Sequence, residues 1–102
     1  MDIKVSESDE RLVVHVKGDI YIDQADELLD TFNDIIERGP EEVLLDLKGL
    51  KSITSSGIGK IVLLYKELKK KNGVLKIKGV NDTIMEIFKI VKLNKLVDIQ
   101  SE

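Results

Sequence analysis

Thr54, Ser55 and Ser56 set three hydroxyls in a row, and Gly57 and Gly59 follow at once. Residues of these types before an apolar-periodic run can cap a helix. They also leave the unpaired amides of the first helical turn pointing outward, a ready site for an anion or a phosphate. The plainer reading is an N-cap whose small residues let the helix pack closely, and both readings stay open from the residues alone. A hydroxyl nucleophile needs a base and usually a G-x-S-x-G elbow. The first glycine of that elbow is missing here, and the one histidine, His15, has the opposite parity from the apolar face of its strand. It reads as a surface or second-face residue rather than a base. Gly57 and Gly59 begin a G-x-G, but Val62 takes the third glycine position, and no G-x-x-x-x-G-K-S/T occurs. Neither route to nucleotide binding is supported. No spacing of Asp or Glu points to a metal, so a small hydrolase would lack both base and ion.

The hydroxyl turn needs a strand before it and a helix after it. Residues 2–6 and 11–17 read as strands, the second with Leu12, Val14 and Val16 alternating against Arg11, Val13, His15 and Lys17. The polar insert Glu7-Ser8-Asp9-Glu10 suits a hairpin loop between them. A helix is expected over 23–38, with Ala25, Leu28, Leu29, Phe32, Ile35 and Ile36 on one face. Asp23 can cap it, Asp26 and Glu27 suit its first turn, and Gly39-Pro40 ends it. A buried strand follows over 42–47, then a helix over about 56–71 with Ile58, Ile61, Val62, Tyr65 and Leu68 as its stripe. Asn72-Gly73 stops that helix. Residues 74–78 read as a strand, 82–92 as a helix capped by Asn81 with Ile84, Ile87, Phe88 and Val91 inward, and 96–99 as a last short strand. The order β-β-α-β-α-β-α-β implies an α/β fold: a mixed, mostly parallel sheet of four to five strands, right-handed βαβ crossovers and three main helices.

Composition narrows the class. The 102 residues have room for one domain, 1–102, and 42% apolar with 34% charged residues fit a globular chain. There is no cysteine, which excludes disulfides, thiolate metal sites and a Cys nucleophile. The net charge of −3 gives no general reason to bind nucleic acid. The basic run at 66–71 has no interleaved aromatic and reads as a solvated helix end. No apolar stretch is long enough to span or to serve as a signal peptide, so no membrane insertion and a cytoplasmic location are expected.

The stretch from Asp46 to Gly59 resembles the signature of the STAS domain (sulphate transporter and anti-sigma factor antagonist). Asp46-Leu47 matches its start, Leu50 and Ile53 its apolar positions, and Ser55-Ser56-Gly57-Ile58-Gly59 its loop and helix start. Gly18-Asp19-Ile20 is similar to the family's Gly-Glu-Leu at the end of the second strand, and the element order agrees along nearly the whole chain. The resemblance implies a STAS-like single domain that acts as an anti-sigma factor antagonist, without catalysis and without a cofactor. Its partners would be an anti-sigma factor that is itself a serine kinase, which the unphosphorylated form binds, and a protein phosphatase that restores that form. Ser55 would carry the phosphate, with Ser56 and Thr54 as rival positions. The partner surface would draw on Thr54, Ser55, Ser56, Gly57 and Ile58, together with Asp19, Tyr21 and Asp23 from the neighbouring loop. Two departures stand out: Thr54 occupies a position where the family usually has Asp, and Ser101-Glu102 falls about where the family's final helix would begin. The first favours an alternative within the same fold, a constitutive STAS adaptor of an ABC transporter or signalling assembly that has no phosphate cycle.

Overall fold

The computed structural model describes residues 1–9 and 11–101. In chain order the elements are β1 (Asp2–Ser8), β2 (Arg11–Ile20), α1 (Ile22–Arg38), β3 (Glu42–Ile53), α2 (Ser55–Lys70), β4 (Val74–Val80), α3 (Asp82–Ile90), a 3-10 turn (Leu93–Lys95) and β5 (Asp98–Ser101). The strands form one sheet in the order β1-β2-β3-β4-β5. The pair β1 and β2 is antiparallel, and β2 to β5 run parallel. Each parallel step is made by one helix, as the alternation of strand and helix periods requires.

One face of the sheet carries the core. Leu12, Val14 and Val16 of β2, Val43, Leu45 and Leu47 of β3, and Leu75 and Ile77 of β4 pack with Leu28, Phe32 and Ile35 of α1, Ile61, Leu64 and Leu68 of α2, and Ile84 and Phe88 of α3. Residues of opposite parity, among them Val13, His15, Asp46, Lys76 and Lys78, form the other face and are half-buried or exposed. Leu44 lies among them, buried but outside the core cluster.

Several boundaries depart from the sequence expectation. Glu7 and Ser8 extend β1, and Glu10 of the expected loop lies outside the described residues. The larger difference is β3, which runs on from Leu47 to Ile53. Its register against β2 shifts twice, between His15 and Lys17 and between Gly18 and Asp19. Each shift is an extra residue on β3, so Leu47, Leu50 and Ile53 return to the core at intervals of three instead of two. That spacing disguises the strand. The same pairing carries β2 three residues further than expected, to Ile20.

The helices shift less. Tyr21, not Asp23, is the N-cap of α1, and its amide donates to Gln24 Oε1 at 3.1 Å. Asp23 sits in the first turn, where its charge offsets the dipole. Gly39 ends the helix in the left-handed region at φ 62°, its amide donating to Ile36 O at 3.1 Å. Lys71 Nζ also donates to that carbonyl, at 3.0 Å, so one lysine of the basic run closes the end of α1. In α2 Leu64, outside the expected stripe, is buried with Ile61 and Leu68, and Val62 and Tyr65 lie at the margin. Val91 is half exposed, because α3 ends at Ile90 and the chain then turns through Lys92 at φ 63°. Leu93 and Val97 take the inward places, and β5 follows at 98–101 rather than 96–99.

Candidate functional site

The rim at the carboxyl end of the parallel strands gathers the candidate residues. Tyr21, Thr54 and Asn81 follow β2, β3 and β4 and are the N-caps of α1, α2 and α3, so three helix N-termini open at one edge. The Thr54 amide donates to Ile20 O at 2.9 Å and ties the second turn to the first. Ser52 Oγ donates to Asp19 Oδ1 at 2.5 Å and approaches Tyr21 Oη at 3.5 Å. Asp19 and Ser52 are register partners only because of the bulges, which is why sequence spacing did not single out Ser52.

Asn81 secures the third turn. Its Oδ1 accepts from the Ile84 amide at 2.8 Å, and its Nδ2 donates to Leu50 O at 3.1 Å. One side chain therefore caps α3 and fastens it to β3. Asn81→Ala is expected to lower stability by about 1–2 kcal/mol, read from urea unfolding, since both a cap and a bond to a core strand are lost.

The expected hydroxyl cap on α2 is absent. Thr54 has the extended backbone of an N-cap, but its side chain makes no cap bond, and Oγ1 is buried without a hydrogen-bond partner among the described residues. A buried hydroxyl without a partner carries its desolvation cost uncompensated. Thr54→Val, close to isosteric, is therefore expected to leave the protein as stable as before or up to about 1 kcal/mol more so in the same assay. The burial sets Thr54 apart from Ser55 as a rival phosphate position, since its oxygen is covered.

Ser55 is the first residue of α2 and is exposed, and Ser56 is half-buried. Gly57 and Ile58, expected at the contact surface, are buried at the start of α2. A Cβ on Gly57 would come within 2.7 Å of Ile20 Cγ2 and 2.8 Å of Ile53 Cγ1. The glycine lets the start of α2 rest directly on the ends of β2 and β3. The first turns of α1 and α3 contain Asp23 and Asp82, whereas that of α2 has no acidic residue. Its positive end faces outward, beside the exposed Ser55 hydroxyl, with no built-in countercharge. Tyr21 and Ile22 are exposed at 52% and 68%, so the rim joins apolar side chains to that end. Asp19 is half-buried and Asp23 exposed.

An open-faced α/β sheet with helix starts and exposed apolar groups along one rim defines a small binding domain. The chain belongs to the STAS domain family, whose model matches residues 2–102. It is 28% identical to the anti-sigma-B factor antagonist of Bacillus subtilis (strain 168) over 102 residues, all of this chain and 91% of that protein. The crystal structure of an anti-sigma factor antagonist from Mycobacterium paratuberculosis aligns with a TM-score of 0.90 at 20% identity, covering 99% of this chain and 86% of the other. SpoIIAA of Bacillus in its phosphorylated form aligns at 0.77 and 16% identity, covering 99% and 93%. Unphosphorylated SpoIIAA aligns at 0.78 and 14% identity, covering 99% and 88%. Proteins of this kind work by binding, and the chain is not an enzyme. Among the described residues no helix is long and apolar enough to cross a membrane.

Proposed function

We propose that this protein is an anti-sigma factor antagonist switched at Ser55. Unphosphorylated, it docks its rim on an anti-sigma factor that is a serine kinase. Phosphate on Ser55 releases it, and a protein phosphatase resets it, in the cytoplasm. The observation that carries the reading is the hydroxyl turn itself. Ser55 alone of its three residues is exposed, at a helix start without an acidic residue in its first turn, while Thr54 Oγ1 is buried and Ser56 is half covered. The anti-sigma-B factor antagonist of Bacillus subtilis supports the partner class. SpoIIAA, which exists in phosphorylated and unphosphorylated forms that align equally well with this fold, supports a phosphate cycle without refolding. Asp19, Tyr21, Asp23, Ser55 and Ser56 are the proposed contact residues, with Ile22 added by its exposure.

The test is incubation with the cognate kinase and ATP, followed by intact mass. One added phosphate, lost in Ser55→Ala and kept in Thr54→Val, is the expected result. No added phosphate with partner binding retained would replace this reading with the constitutive adaptor.

A further inference from the structure

The dipeptide Lys-Gly recurs as Lys17-Gly18, Lys48-Gly49 and Lys78-Gly79, toward the carboxyl ends of β2, β3 and β4. These strands are neighbours, and the dipeptides interlock across them. Lys17 is the register partner of Gly49, where an added Cβ would come within 2.5 Å of Lys17 Cγ. A Cβ on Gly79 would come within 2.9 Å of the Lys48 amide nitrogen. Gly49 thus makes room for the Lys17 methylenes that lie over it, and Gly79 for the Lys48 backbone and Cβ. On the face away from the helices this makes a shallow depression of about 370 Å³, lined by His15, Val16, Lys17, Asp46, Lys48 and Gly49. Lys78 pairs in register with Asp46 at its edge.

The charges here are not used by the fold. Lys17, Lys48 and Lys78 are exposed, and their ammonium groups have no ion pair or hydrogen bond among the described residues. On the same face Arg11 and Lys76 are both paired with Glu42, at 3.3 and 3.2 Å. The one carboxylate lining the depression, Asp46, is engaged by His15 Nδ1 at 3.0 Å and by the Lys48 amide at 3.1 Å. With strands about 4.8 Å apart, the three lysines span roughly 10 Å across the sheet, more than one phosphate group covers. Lysine binds phosphate as a point charge.

We propose that this face binds a small soluble molecule carrying two or more linked phosphoryl groups. The site is separate from the Ser55 rim and does not depend on the function proposed there. The experiment is titration of the full chain with tripolyphosphate, followed by amide NMR. Saturable shifts at residues 17, 48, 49, 78 and 79 are expected, with affinity reduced about tenfold in Lys17→Gln and in Lys48→Gln and unchanged in Ser55→Ala. Orthophosphate should bind much more weakly. These lysines are exposed, so the variants fold, and circular dichroism verifies it. The proposal is overturned by the absence of saturable shifts, by shifts confined to 55–58, by equal affinity in the lysine variants, or by hexaglutamate or anionic lipid vesicles binding as tightly as tripolyphosphate.

Discussion

Phosphorylated on Ser55, the protein should bind its anti-sigma partner more than 100-fold more weakly than the unmodified form. A phosphoserine adds roughly −1.5 to −2 charges at pH 7. On the free protein that charge sits at the N-terminus of α2, where the first turn has no carboxylate to repel it and the dipole favours it. In the proposed complex the same group would have to be desolvated where a neutral hydroxyl docks. If the mismatch costs about 3 kcal/mol, affinity falls by more than two orders of magnitude. The domain itself should be little changed, because Ser55 makes no side-chain bond among the described residues that a phosphate would break. Titration calorimetry of both forms against the partner, with thermal melts of each alone, measures the two effects separately. Equal affinity of the two forms, or a melt showing that phosphate unfolds the domain, would count against the mechanism.

Gly57→Ala is expected to lower stability by about 1–3 kcal/mol, a sizeable part of the 5–15 kcal/mol typical of a domain. The added methyl would be driven into Ile20 and Ile53, at 2.7 and 2.8 Å. Ile20 is fully buried and Ile53 nearly so, so neither has open space to retreat into. Relief requires Ile20 and Ile53 to shift or the start of α2 to lift from the sheet, which would also move Ser55. Gly59 is the internal comparison, since nothing lies within 4 Å of a Cβ built there. Gly59→Ala should stabilise the helix by about 0.5–1 kcal/mol, because alanine is the better helix former. Urea unfolding of the two single variants under one condition reads the contrast. Equal effects would mean that the contact with Ile20 and Ile53 is not what requires a glycine at 57.

The parts of the fold that could be read from the sequence were those with unbroken periods. Leu12, Val14 and Val16 mark a strand by alternation, and Leu28, Phe32 and Ile35 mark a helix by their spacing, so element order and sheet type followed. Where the period changes, the reading failed. The bulges in β3 put Leu47, Leu50 and Ile53 three apart, a pattern that belongs to neither template, and six residues of strand were missed. Ser52 was lost for the same reason, since its bond to Asp19 depends on the shifted register. Thr54 shows a different limit. The hydroxyl preference for N-caps is an average, and in this turn Oγ1 is buried while the backbone alone begins the helix. The inward aim of Gly57 could not be seen either, because it depends on Ile20, 37 positions earlier in the chain.

Every strand lies beside the one made just before it, from the first hairpin to the last edge. No strand has to hold a gap open for a segment still to be synthesised. As the chain leaves the ribosome, each new helix and strand can add to a sheet already begun, and growth proceeds at one edge only. The growing edge at each stage is the one that the next strand pairs in parallel, so vectorial synthesis and the final topology run in the same direction.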